Sequence, residues 1–504
     1  MQIKRLLHRA AAVVVSAAMV LGTAATAYAK PGWPSDTGIM AGAGIAVDMD
    51  SKAVLFGQQI HVALPPASIT KLLTALVVVE NAEMDEMVTF SHDAVYNVES
   101  GSGNKLSLEE GDQLSVEDCL YVMLLLSSNQ ASNALAEHVA GSRDAFVDMM
   151  NEKIAALGCQ ESHFANPSGL NDETQNVSAY DMALIAIAAF ENEKVLQISS
   201  SRSHSIPATI NNPNGTSFKM EHRILMAEND PSSEYYCEGA LAGKTGYTSL
   251  AGNTLVTLAE RDGRKVVTVV LKGTQPQYYM DSRELLNFGL SSFQNVRIGE
   301  YETLLQGIGE LELGGTVYQV SDLSLDQEAV VTLPETAEFA DAERSVVTEL
   351  PGDAPLGAAA LVQYTYNERK IGAAYLYSDS LKETQLAAIQ AAEAEKVKAA
   401  SGPVMEESDS AADKTETESK EETKNSGESG AAVGGLVPKV LIAAVIIAAA
   451  AGAIIFFKKK RQRELEAAAL RRERRRQRLQ EIGCSEEEFE KMVQERRAKN
   501  RQEQ

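Results

Sequence analysis

A serine hydroxyl is a weak nucleophile at neutral pH and needs a base within hydrogen-bond reach. Ser68-Ile69-Thr70-Lys71 supplies one, because residues three apart share a helix face and aim the amine at the hydroxyl. In the first turn of a helix, Ser68 also gains free backbone N–H groups and the positive helix end, which favour the oxyanion of a tetrahedral intermediate. To act as base, Lys71 needs its pKa lowered by burial or by a neighbouring cation. The spacing alone is a weak signal, since Ser-x-x-Lys recurs at Ser102-Gly103-Asn104-Lys105. Context separates the two: Ser68 opens an apolar helix, whereas Ser102 sits in a glycine-rich polar loop and reads as accidental. A second element, Ser127-Ser128-Asn129, directly follows an apolar run ending at Leu126. Taken alone, an ordinary polar helix end is its simpler reading, and Ser102-Gly103-Asn104 repeats its pattern. Lys244-Thr245-Gly246 is the third. By itself it suits a structural lysine, but its place ahead of two strands puts Lys244 and Thr245 at a sheet edge that could face a cleft. In this order and in these contexts, the three together describe a serine acyl-transfer site.

The elements that position them are legible in the patterning. Pro65 and Pro66 precede a helix expected over Ser68 to Glu80, with Leu72, Leu73, Leu76 and Val79 as its apolar face. Val116 to Leu126 reads as a second apolar helix, with further candidates at Ala131 to Ala140, Arg143 to Leu157 and Ser178 to Glu191. Strands are expected at Ile45 to Met49 and Ala53 to Phe56 around the turn Asp50-Ser51-Lys52. Two more are expected at Thr254 to Glu260 and Lys265 to Lys272, joined through Arg261-Asp262-Gly263-Arg264. This dense alternation spans Thr37 to Gly289. From Val296 to Ser378 the pattern changes to short strand-like segments with turn residues between them, the mark of a small all-β domain. Residues 379–435 begin with helix formers and continue as an acidic tract dominated by Glu, Lys, Ser and Thr, which is too poor in apolar residues to bury a core.

The ends of the 504-residue chain speak to location. Lys4 and Arg5, the apolar Ala10 to Leu21 and the small residues of Ala27-Tyr28-Ala29 make residues 1–29 a signal peptide. A second apolar stretch, uncharged from Val440 to Phe457, is read as a membrane span over 438–457. Lys458, Lys459, Lys460 and Arg461 follow it, so the tail at 458–504 is expected inside and the rest outside, in a single-pass arrangement. The tail holds 16 Lys and Arg against 10 Asp and Glu, a net +6, which leaves −30 for the remainder of a chain whose total is −24. An acidic exterior excludes nucleic acid as the partner class, since phosphate binding needs clustered cations. The charged run Lys458 to Gln480 and the capping-box start Ser485 to Glu488 read as solvated helices, with contact to anionic lipid a plausible addition. Cys119, Cys159 and Cys237 fall outside and Cys484 inside. Their spacing makes neither a disulfide framework nor a metal site, and buried free thiols or one bridge remain open.

Pro66-Ala67-Ser68-Ile69-Thr70-Lys71, Ser127-Ser128-Asn129 and Gly243-Lys244-Thr245-Gly246-Tyr247-Thr248 together resemble the three motifs of the D-alanyl-D-alanine carboxypeptidases, the low-molecular-mass penicillin-binding proteins. The resemblance extends through Asn166-Pro167-Ser168-Gly169-Leu170 and Ala251-Gly252-Asn253 and covers roughly Thr37 to Ser378. It implies an α/β (α+β) fold like that of penicillin-binding proteins and β-lactamases, with a central antiparallel sheet and helices, followed by the small β domain. It implies an acyl-enzyme on Ser68, formed from the peptidoglycan stem peptide with loss of its terminal D-alanine, and β-lactams as covalent inhibitors. No cofactor or metal is implied. By the same resemblance Lys71 takes the serine proton, Ser127 relays one to the leaving D-alanine, and Asn129 holds Lys71 and the substrate amide. Lys244 and Thr245 would bind the terminal carboxylate, and the N–H groups of Ser68 and Tyr247, the latter following Gly246, would form the oxyanion hole.

The chain departs from the family in three places. Some members carry His where this chain has Tyr247, a change expected to spare the backbone N–H. Some use an arginine upstream of the third motif to hold the carboxylate, for which Arg223 is the candidate here, a surface arginine being the other reading. Many end in an amphipathic helix on the membrane, where this chain has a span and a tail. Two rival readings are a β-lactamase of the same fold, for which no water-positioning glutamate is evident, and a catalytically silent wall-binding scaffold.

Overall fold

The protein is described by a computed structural model that covers residues 30–400 apart from 36, 99–101 and 352–353. The leader expected over 1–29, the tether beyond residue 400, the span at 438–457 and the tail at 458–504 lie outside the described residues. Among the described residues no helix is long and apolar enough to cross a membrane.

A five-stranded antiparallel sheet forms the frame of the site. Its strands run in the order Val54–Gln58, Ala43–Asp48, Arg264–Gly273, Gly252–Arg261 and Ala240–Thr248. Val266 to Leu271 are buried at every position, the pattern of a strand covered on both faces. The helices Ala179–Glu191 and Gln277–Ser291 pack against it. Asp262 and Gly263 join its two long strands with positive φ at both positions (54° and 76°), as a two-residue hairpin requires.

The helices begin where the sequence places caps. Ser115, Ser128, Ser142 and Ser178 each accept a backbone N–H three residues on, opening Val116–Leu125, Asn129–Ala140, Arg143–Ala156 and Ala179–Glu191. The nucleophile segment differs in one respect from expectation. Ala67–Thr70 forms a turn of 3-10 helix, and the α-helix proper runs from Lys71 to Asn81. The 277–291 helix was not evident in the sequence, because Asp281, Ser282 and Gly289 interrupt its buried face.

A second sheet follows without a linker. Phe293–Arg297 comes directly after the 277–291 helix and pairs with Val330–Pro334, earlier than the Val296 start expected for the β-rich region. The order continues through Arg369–Ser378, Ala358–Tyr366 and Glu343–Val347, with Leu323–Leu325 also on Arg369–Ser378. The helix at Asp379–Ala400 matches the run of helix formers. Cys119, Cys159 and Cys237 are free thiols.

Candidate active site

Pro66 leads into a turn whose next residue, Ala67, has φ 52°, a strained value for a side chain with a Cβ. Three contacts hold that turn. Thr70 Oγ1 donates to the Ala67 carbonyl (2.9 Å), Thr254 Oγ1 donates to the Pro66 carbonyl (2.8 Å), and Gly169 (φ 82°) lies against Ala67. A Cβ on Gly169 would come within 1.9 Å of the Ala67 oxygen. Gly246 serves the same purpose from the strand side, where a Cβ would meet the Ser68 N–H at 2.8 Å. The resemblance gave Gly246 no geometry; close approach is its reason. The Ser68 N–H therefore lies beside the residue next to Tyr247, its expected oxyanion-hole partner.

Lys71 is fully buried, and its Nζ lies 2.9 Å from Ser68 Oγ, 2.8 Å from Asn129 Oδ1 and 2.5 Å from the Ser168 carbonyl oxygen. A neutral amine has two N–H bonds and one lone pair. Asn129 and Ser168 accept the first two, which turns the lone pair toward the serine hydroxyl. Burial is the main cause of a Lys71 pKa well below the usual lysine range, with the charges of Lys244 and Lys105 adding to it. The Ser168 carbonyl is a functional group that motif reading left without a role. It is presented by a loop that Asn166 closes, its Oδ1 accepting from the N–H groups of Gly169 and Leu170 (2.8 and 3.1 Å).

Ser127-Ser128-Asn129 divides its labour. Ser128 caps the helix, so the polar-helix-end reading holds for that residue. Ser127 takes φ 61°, and its Oγ accepts from Lys244 Nζ at 3.0 Å, while Asn129 turns to Lys71. Lys244 sits within the edge strand Ala240–Thr248, is 2% exposed, and donates also to the Thr245 carbonyl (2.7 Å). Burial pulls its pKa down to about 7, against Glu221, which raises it, and together with Lys105, which lowers it further. His222, under Gly243, is pushed down to about 3 by burial and is neutral.

Above these groups opens a cleft of about 680 Å³, lined by Ser68, Ser127, Asn129, Thr245 and Tyr247. Arg223 also lines it, its guanidinium donating to Tyr235 Oη (2.8 Å) and lying over the rings of Tyr235 and Tyr279. All nine residues expected at the site are thus gathered at or beneath one cleft. Ser102-Gly103-Asn104-Lys105 is not a nucleophile pair, yet it is not remote: Lys105 lines the same cleft and bonds to Leu126 and Glu221. Glu221, the acidic residue of the lining, was not evident in the sequence and is occupied by this ion pair.

Residues 29–275 match the family described as D-alanyl-D-alanine carboxypeptidase. The D-alanyl-D-alanine carboxypeptidase DacB2 of Mycobacterium tuberculosis is 31% identical over 275 residues, covering 53% of this chain and 87% of that protein. The chain belongs to the D-alanyl-D-alanine carboxypeptidase family. Another carboxypeptidase, DacD of Salmonella typhimurium, is 32% identical over 310 residues, 59% of this chain and 74% of its own length. Penicillin binding protein 6B from Escherichia coli superposes with a TM-score of 0.51 at 25% identity, over 69% of this chain and 98% of that one. As a D-alanyl-D-alanine carboxypeptidase the protein is a serine hydrolase, with the penicillin-binding-protein fold of antiparallel sheets and helices.

Proposed function

We propose that this D-alanyl-D-alanine carboxypeptidase acts on the stem peptide of peptidoglycan through an acyl-enzyme on Ser68, and that it does so outside the cell, held by a single span at 438–457. The observation that carries the chemistry is the three-way hold on Lys71, which aims a desolvated amine at the Ser68 hydroxyl.

Lys71 takes the hydroxyl proton as Ser68 Oγ bonds to the carbonyl carbon between the two D-alanines. The Ser68 and Tyr247 N–H groups receive the oxyanion. As the intermediate collapses, the C–N bond breaks and the departing amine gains a proton through Ser127, which already accepts from Lys244. The terminal carboxylate is held by protonated Lys244 and Thr245, with Arg223 at the rim of the same cleft. Water then attacks the ester, returning Ser68 and releasing the shortened peptide. A β-lactam acylates the same oxygen by opening its ring, with no amine to depart.

Wild type is expected to release D-alanine from an acylated tripeptide ending in D-Ala-D-Ala and to label with fluorescent penicillin. Ser68→Ala should do neither while keeping the wild-type melting temperature; labelling retained by that variant sinks the assignment of the nucleophile.

A further inference from the structure

Lys105 lies outside the three motifs, on a loop whose backbone is fixed on both sides. The Asn104 side chain bonds to both the N–H and the carbonyl of Leu108 (2.9 and 2.8 Å), and Asn212 Nδ2 donates to the Leu106 carbonyl (2.7 Å). From this loop Lys105 Nζ reaches two walls of the cleft, donating to the Leu126 carbonyl at 3.0 Å and to Glu221 Oε1 at 2.6 Å. The Leu126 carbonyl belongs to the peptide plane that enters Ser127, so the bond fixes the rotation about the residue that holds φ 61°. Glu221 is two residues before Arg223 and next to His222, which packs beneath the Gly243–Lys244 strand.

We propose that the Lys105–Glu221 pair is a charged latch across the cleft: through the Leu126 carbonyl Lys105 is a positioning residue for Ser127, and the pair sets the charge surroundings of Lys244, which donates to Ser127. The proposal rests on the carboxypeptidase reading of Ser127 and Lys244. The groups facing Lys244 are Lys71 from the nucleophile helix, Lys105 from the loop, and Glu221 with the neutral His222 from the segment ahead of Arg223, whose guanidinium lines the same cleft. Lys105 opposes the Lys244 charge and Glu221 supports it, so the two members of the latch act on Lys244 with opposite signs.

The test is the pH dependence of kcat/KM for the acylated D-Ala-D-Ala tripeptide in wild type, Lys105→Met, Lys105→Arg and Glu221→Gln. Glu221→Gln should move the alkaline limb to lower pH, and Lys105→Met should move it to higher pH. Lys105→Met should also lower kcat about tenfold as Ser127 loses its hold, a loss of the size that small displacements in an active site produce. Lys105→Arg should recover most of kcat by keeping the charge and a donor to Leu126. Limbs that stay in place, or that move the same way in both deletions, overturn the latch if the variants melt as wild type and still acylate with fluorescent penicillin. A wild type that labels but releases no D-alanine instead removes the carboxypeptidase reading, and the latch with it.

Discussion

The protonation states that the chemistry needs at Lys71 and Lys244 are opposite, and burial pushes both lysines the same way. Lys71 must be neutral to take a proton; its pKa lies well below the usual range, so the base form is lost only as pH falls through that lowered value. Lys244 must be charged to bind a carboxylate; with a pKa of about 7 it loses that charge as pH rises above neutrality. The profile of kcat/KM, which reports the free enzyme, is therefore expected to be bell-shaped, with Lys71 on the acid limb and Lys244 on the alkaline limb. In kcat, which reports the complex, bound carboxylate favours protonated Lys244 and the alkaline limb should move up by about a pH unit or more. Superimposable limbs in the two profiles would remove Lys244 from carboxylate binding. The site was legible in sequence at this scale because its side chains come in short fixed spacings. Ser68 and Lys71 share one turn, and Ser127 and Asn129 flank a helix cap. What stayed hidden was of two kinds. The Ser168 oxygen is a backbone group that no residue type announces, and Lys105 with Glu221 is a pair formed by residues 116 positions apart.

At the scale of elements, glycine marks the places where backbone approaches backbone near the nucleophile. Gly169→Ala would force a positive φ on alanine and drive its Cβ into the Ala67 carbonyl, the residue that sets the Ser68 turn. The expected cost is about 2 kcal/mol or more of stability, with a slower acylation of Ser68 by fluorescent penicillin. Gly141→Ala is the control: φ is 75°, but no atom lies within 4 Å of the new Cβ. It should cost about 1 kcal/mol and leave acylation unchanged. Denaturant melts and labelling rates on the two variants separate backbone strain from displacement of the nucleophile, and equal acylation rates would mean that Gly169 does not hold the turn. The same glycines explain which elements the sequence concealed. Gly243 and Gly246 interrupt the strand Ala240–Thr248, removing the alternation that marks a half-buried strand, so only its relation to the next two strands suggested a sheet edge. The strands Arg264–Gly273 and Gly252–Arg261, by contrast, carry uninterrupted β-branched and aliphatic runs around an Asp-Gly turn and were readable almost to the residue.

Across the whole described region, the two sheets are joined by buried polar contacts centred on Asp48, which is fully buried. Its carboxylate accepts from Arg264 Nη2 (3.1 Å) and Ser51 Oγ (3.2 Å) on the first sheet and from Asn295 Nδ2 (3.1 Å) on the second, and Thr332 Oγ1 closes the circuit to Ser51 and Asn295. The sequence showed a change of pattern between the two regions but gave no sign of this seam, since Asp48 falls within the expected strand Ile45 to Met49 and nothing in that strand marks a partner 247 residues away. Asp48→Ala would leave the Arg264 guanidinium, only 12% exposed, facing carbonyls without its carboxylate, a loss of about 3–5 kcal/mol. Because the network draws on both sheets, calorimetry should show the loss as one lowered transition; two separated transitions already present in wild type would show that the seam does not couple them. The seam also bears on how the cleft is carried. The β-rich part is followed in sequence by the helix Asp379–Ala400 and then by the acidic tract, so the catalytic sheet and the β-rich part would be carried together as one body by whatever holds the chain. If that holder is the span at 438–457, Cys484 faces the cytoplasm and the three thiols of the catalytic region face outward. In intact cells expressing a variant with Cys119, Cys159 and Cys237 replaced by Ala, a membrane-impermeant maleimide should leave the protein unlabelled until the membrane is permeabilised, after which Cys484 should react. The same intact cells should label with fluorescent penicillin at Ser68, because in that orientation the catalytic region is on the accessible side. Maleimide labelling before permeabilisation would place the tail outside and overturn the orientation drawn from Lys458 to Arg461.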